Sequence, residues 1–213
     1  MQEYFNEIKE KFIKDVKGHQ LKIIKDDGVY RHLLFKRQNG SMYWTEIIAS
    51  PNLLTINGDM GTWVFSRVDD MFEFFRNPEL EINYHYWTEK LKAGRTSHEK
   101  FYMNLFYKNI TKYIEDYFQD SIENINEDFY DDYLKDIVEA EDEIEVVSKI
   151  RDFYIYSDDR ILKDLPECYK QFNFDDFNEY WKLCYKADYQ YVWSLFCIVK
   201  IIQEYDKIKG EVK

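Results

Sequence analysis

Apolar positions along the chain change their period twice. Between residues 3 and 17, Tyr4, Phe5, Ile8, Phe12, Ile13 and Val16 fall on one side of a helix, Glu and Lys fall on the other, and Gly18 supplies a stop. The next fifty residues break into five β-branched or aromatic runs: Leu21–Lys25, Val29–Arg37, Met42–Ile48, Leu53–Ile56 and Thr62–Arg67. Asp-Asp-Gly, Asn-Gly, Ser-Pro-Asn and Asn-Gly-Asp-Met-Gly separate them, which predicts an antiparallel meander of four or five strands. Asn39-Gly40 reads as a type I′ hairpin turn, because both central positions of that turn need positive φ.

A helical period resumes at Val68–Arg76, with Asp69 or Asp70 as cap and Asn77-Pro78 as terminator. Beyond Gly94 the chain holds one proline, Pro166, and no glycine before Gly210. Apolar steps of three and four there predict helices near 97–120, 121–152, 158–170 and 174–208, the last broken near Ala187-Asp188. The expected fold is α+β: an N-terminal helix and a four- to five-stranded antiparallel sheet over 1–95, then an acidic all-helical region over 96–213. No Gly/Ser linker separates the two regions, so one shared core is expected.

Composition narrows the class. A chain of 213 residues with 45% hydrophobic and 19% aromatic residues can bury a core, which excludes global disorder. Nineteen tyrosines suit half-buried or interface positions, and a codon bias toward Tyr, Phe, Lys, Asn and Ile would explain them equally well. Cys168, Cys184 and Cys197 have neither the number nor the spacing of a disulfide framework or a Cys-x-x-Cys metal site, and read as core thiols in a reducing compartment. No basic, apolar leader opens the chain and no run reaches the ~18 apolar residues of a membrane span, so a cytoplasmic location, that of a host cell, is expected.

Charge changes the picture most. Acids and bases cancel over residues 1–100, so residues 101–213 carry the whole net charge of −12. Fourteen acids and one base, Lys135, lie between Glu115 and Glu145. Ile114, Phe118, Ile122, Ile125, Phe129, Tyr133 and Ile137 step by three or four, so on a helix they form one apolar stripe with the carboxylates outside. A 31-residue helix would span about 46 Å at ~1.5 Å per residue. That places one acid per roughly 3.3 Å, close to the ~3.4 Å charge spacing of one DNA strand. The acids read as partner-binding are Glu123, Glu127, Asp128, Asp131, Asp132, Asp136, Glu139 and Asp142. An acidic face that only keeps an aromatic-rich protein soluble is the plainer alternative.

The most specific pattern lies in the neutral half. Arg31-His32-Leu33-Leu34-Phe35, Tyr43-Trp44, Gly58-Asp59-Met60-Gly61, Phe65-Ser66-Arg67, Asp70-Met71-Phe72 and Ile82 to Trp87 together resemble a family of small uncharacterised phage and prophage proteins, over about residues 30–92. The resemblance implies a phage origin and a role in the infected or lysogenic cell, and no particular chemistry.

Gly58 to Gly61 reads as a tight turn in which both glycines take positive φ and Asp59 bonds the turn backbone. It could instead present Asp59 and Met60 to a ligand, with Arg67 as an anion contact. His32, Asp59, Arg67 and His85 are the acid, base and cation set that phosphodiester chemistry would need. No phosphate-binding glycine motif is present, and His19, His32, His85 and His98 lack metal-site spacing.

These readings favour a non-enzymatic phage inhibitor of a host defence system, anti-CRISPR-like or related, that occupies the basic nucleic-acid-binding surface of a host protein. No cofactor, metal or membrane contact is expected, and direct nucleic-acid contact is not expected because only the basic cluster Arg31, Lys36 and Arg37 favours it against a net −12; the oligomeric state is open, with a dimer possible. The alternative is a small metal-dependent nuclease or nucleotide hydrolase, or a nucleotide-sequestering protein, built on the sheet.

Overall fold

A computed structural model describes residues 2–94, 98–156 and 165–210. The fold is α+β. The chain forms α1 (Gln2–Asp15), β1 (His19–Asp27), β2 (Tyr30–Arg37), β3 (Thr45–Ser50), β4 (Leu53–Gly58), β5 (Gly61–Phe65), α2 (Met71–Phe75), α3 (Tyr84–Thr88) and β6 (Leu91–Ala93). Then come β7 (Glu99–Phe101), α4 (Met103–Phe118), α5 (Glu127–Phe129), α6 (Lys135–Val138), α7 (Glu143–Tyr156), α8 (Glu167–Gln171), α9 (Asn178–Lys182), β8 (Tyr185–Ala187) and α10 (Tyr189–Lys209).

Strands β1 to β6 make one six-stranded antiparallel sheet in sequential order. The sixth strand escapes the sequence pattern because it is three residues long and returns to pair with β5 only after α2 and α3. Alternation in β2 to β5 puts Leu33, Phe35, Ile47, Ala49, Leu54, Ile56, Trp63 and Phe65 on one buried face. Phe5, Ile8 and Phe12 of α1 join the same core, together with one side of α10 around Tyr191, Trp193 and Ile198.

The turns differ from expectation in instructive ways. Residues 38–44 form a wider connection in which Tyr43, at φ 60, takes the left-handed conformation assigned to Asn39-Gly40. Of the two loop glycines, Gly61 has φ 93, whereas Gly58 serves a steric purpose: a Cβ there would lie 2.2 Å from the Trp44 carbonyl oxygen. Asp70 caps α2 through Phe72 N–H, as the sequence suggests.

The structure divides into two compact units, 1–99 with 187–213, and 100–186. Each has its own cluster of buried apolar residues. The expected boundary at residue 95 with one shared core is therefore corrected. Asp188 caps α10 through Tyr191 N–H, and that helix, nearly all apolar on its buried positions, supplies core to the sheet rather than to the acidic region. The second unit is built from short helices around aromatic rings, including Phe106, Tyr113, Phe129, Phe172, Phe174 and Phe177. Much of the tyrosine surplus is spent here: Tyr107, Tyr113 and Tyr117 donate to the carbonyls of Ala140, Asn173 and Cys168. These bonds brace connections that no helix hydrogen bond reaches.

Two helix predictions need further correction. The 121–152 helix is interrupted by a 3₁₀ turn at Ile122–Asn124, a π turn at Tyr130–Leu134 and a break between α6 and α7. The first part of the predicted 158–170 helix lies outside the described residues, which contain only α8 of it. Among the described residues no helix is long and apolar enough to cross a membrane. Cys184 and Cys197 are buried, and burial pushes the Cys197 thiol up to about 12, whereas Cys168 is exposed and not a core thiol.

Candidate functional site

The net charge follows the structural division closely. Unit 100–186 contains 22 Asp and Glu against 11 Lys and Arg, a net of −11, and leaves −1 to the sheet unit. Within it, the stripe residues Ile114, Ile125, Phe129, Tyr133 and Ile137 are buried, with Phe118 and Ile122 partly so. The inward direction of the stripe is correct, although the straight helix that would carry it is not. The 46 Å ladder of evenly spaced charges is therefore replaced by acids on turns of different pitch.

Asn126 starts the central segment by accepting from Phe129 N–H at 3.0 Å. The helix then widens by one residue, so that Lys135 N–H reaches the Tyr130 carbonyl, before α6 completes it. A single π turn adds a residue without losing the buried face, which keeps both Phe129 and Ile137 inside while turning Asp131 and Asp132 outward. Such turns are rare and recur at functional sites.

All eight acids singled out from the sequence are exposed. Three are already engaged: Asp131 meets Lys135 at 3.0 Å, Asp136 meets Lys149 at 2.7 Å, and Asp142 accepts from Glu145 N–H at 2.8 Å to cap α7. The carboxylates of Glu123, Glu127, Asp128 and Asp132 hold no hydrogen bond or ion pair among the described residues, and that of Glu139 lies within electrostatic range of Lys135. Other acids of the stretch serve the fold: Glu115 accepts from Ile122 N–H, Asp116 from the Tyr180 hydroxyl, and Glu143 from the Tyr185 hydroxyl. Burial, with that carboxylate beside it, pushes the Tyr185 hydroxyl up to about 12, so it remains a donor at neutral pH.

The structure does not bring the sheet candidates together. His32 lies mid-strand on the outer sheet face, in register with Ile48 of β3, which pairs with Thr55, and is bonded to Glu46 at 2.6 Å. Asp59 sits at the tip of the β4–β5 hairpin and accepts from Tyr43 N–H at 2.6 Å, tying two loops together rather than stabilising its own turn. Met60 uses its carbonyl to accept from Trp63 Nε1 at 3.1 Å, and its side chain packs on the core. Arg67 follows the opposite end of β5 and is exposed, while His85 lies on α3 with its ring against Tyr84. Arg31 is removed from the proposed basic cluster altogether, since it is buried and bidentate to Asp70 at 2.7 and 2.9 Å.

That buried arginine anchors a polar network in the sheet unit and was not singled out as such by sequence. Its plane lies 4.4 Å from the Phe72 ring centre, and Nε donates to the Tyr205 hydroxyl, which in turn donates to Asp26 at 2.8 Å. Lys209 closes the chain on Asp26 at 2.8 Å. Burial raises the Asp70 carboxyl, but the guanidinium and Phe72 N–H outweigh it and hold the group below its usual value. The network joins the β1–β2 hairpin, α2 and the end of α10; its groups are consumed by one another.

Among the described residues no group of three His, Cys, Asp or Glu side chains could hold a metal ion. No family model, curated protein or solved structure matches this chain.

Proposed function

We propose that the protein acts by binding a basic macromolecule through the acidic helical unit, as a phage-type inhibitor of a host defence protein that handles nucleic acid. The observation that carries this reading is the group Glu123, Glu127, Asp128 and Asp132. These four carboxylates are exposed, unpaired among the described residues and backed by an aromatic core that fixes the turns presenting them. A surface that concentrates −11 in 87 residues repels itself and attracts a cationic groove over a Debye length, ~8 Å at physiological salt. Because the charges sit on interrupted helices, the reading rests on local density and drops the even spacing of a nucleic-acid strand. The phage resemblance of residues 30–92 supplies the biological setting and belongs to the same proposal.

The test is competition. A nucleic-acid-binding host protein captured by this chain should lose a labelled duplex when the chain is added, with no cleavage of that duplex. Retention of the duplex at saturating chain would refute the inhibitor mechanism.

A further inference from the structure

A groove of about 420 Å³ opens in the sheet unit, between the end of α1, the start of β1, the loop before α3 and the middle of α10. Its walls are apolar: Phe12 and Phe35 belong to the buried core, Ile13 is half exposed on the rim, and Leu80 comes from the loop. This volume falls within the range of small-molecule sites, which pair an apolar body with a few placed polar groups.

Three features separate it from a packing gap. Lys17 and Lys200 stand at its edge; Lys17 makes no ion pair among the described residues, and the one carboxylate lining the groove, Glu204, is shared between Lys200 at 2.8 Å and Lys207 at 2.9 Å. Cations therefore exceed anions at the rim. His19 Nε2 faces the Tyr43 carbonyl at 3.2 Å and must carry the proton there, while its Nδ1 is buried with no partner. Desolvation by burial, with the Arg37 charge nearby, lowers the ring's pKa against the opposing pull of the Tyr43, Met42 and Val16 backbone. Leu80, at φ 30, is a bulky residue held in a conformation that costs energy, in a loop pinned where Gln203 donates to the carbonyls of Asn77 and Pro78 at 2.9 and 3.1 Å.

We infer that this groove is a binding site for a small amphipathic carboxylate, such as a medium-chain fatty acid. The hydrocarbon lies along Ile13 and Leu80, above the buried rings of Phe12 and Phe35, and the carboxylate meets Lys17 and Lys200. The inference concerns the sheet unit alone and does not depend on the partner proposed for the acidic unit.

Calorimetric titration of the full chain with decanoate, below its micellar concentration, tests it, with methyl decanoate as the uncharged control. One saturable site is expected, with the ester about tenfold weaker, as loss of a ~1.4 kcal/mol charge contact requires. The Lys17→Gln/Lys200→Gln double variant should bind decanoate no better than the ester. Ile13→Trp, which plugs the groove from an exposed position, should abolish binding of both while leaving the unfolding midpoint in place. Absence of saturable decanoate binding, or decanoate affinity unchanged in either variant, overturns the proposal.

Discussion

The two units reach a buried core by different means. In the sheet unit, five hydrogen-bonded strand pairings set the geometry and period-two alternation decides what is buried; α1 and α10 then close the core. In the acidic unit, among the described residues no helix between α4 and β8 exceeds 14 residues and several are one turn long, so aromatic ring contacts and tyrosine hydroxyls do the positioning. The first strategy tolerates a neutral, ordinary surface. The second concentrates like charges on short elements, each too short to be stable alone, and so depends on rings such as Phe129 and Phe172 to hold them.

That contrast breaks down or sharpens under substitution. The largest effects should come from the cores: Phe35→Ala and Phe129→Ala each remove a fully buried ring and should cost about 3–5 kcal/mol in denaturant unfolding. Hydrogen exchange should localise the loss, to the strands for Phe35→Ala and to the helices of 103–182 for Phe129→Ala. Equal loss in both units from either change would erase the distinction.

Next in size is the arginine network. Asp70→Asn should cost about 2–4 kcal/mol at neutral pH, the lower end because the carboxylate is a fifth exposed. Since the folded state holds this carboxyl below its usual 3.8, its contribution is present above that value and is lost as pH falls through it toward the lower folded pKa. The gap in unfolding midpoint between wild type and variant should therefore narrow progressively as pH falls below about 4. A gap that persists unchanged at pH 3 would remove the ion pair from the account.

Glycine substitutions distinguish the two loops more finely. Gly58→Ala should cost about 2–3 kcal/mol, because the added carbon meets a backbone oxygen that cannot yield without opening β3. Gly40→Ala should be neutral or slightly stabilising: its Cβ would meet nothing closer than 3.5 Å, and it has no positive φ to protect. Thermal unfolding of the pair reads this directly, and a costly Gly40→Ala would restore the two-residue turn.

The sheet was more legible than the helices for a physical reason. Alternation and turn residues are local signals, so β1 to β5 and α1 could be placed from sequence, whereas β6 exists only because Ala93 and Leu91 meet β5 across two helices. In the acidic unit, three- and four-residue steps gave the buried face correctly, from Ile114 to Ile137. They could not reveal the π turn at Tyr130–Leu134, because one extra residue leaves the apolar period almost intact. The candidate acids were visible as composition. Which of them stay unpaired depends on Lys135 and Lys149 and on caps such as Asp142. The Arg31 network joins positions up to 183 residues apart, beyond any local pattern.

The smallest effect on stability bears on the main proposal. Changing Glu123 and Glu127 to Gln, and Asp128 and Asp132 to Asn, should raise stability by a few tenths of a kcal/mol by relieving repulsion between neighbouring charges. A destabilised variant would mean that these acids serve the fold. The same four-site variant provides the most direct test of function. The affinity of wild type and variant for a captured nucleic-acid-binding host protein should be measured at about 50 and about 200 mM salt. Acidic-face binding predicts that wild-type affinity drops at least tenfold between the two salts, and that the variant binds weakly at both. Equal affinity of wild type and variant at low salt would contradict it.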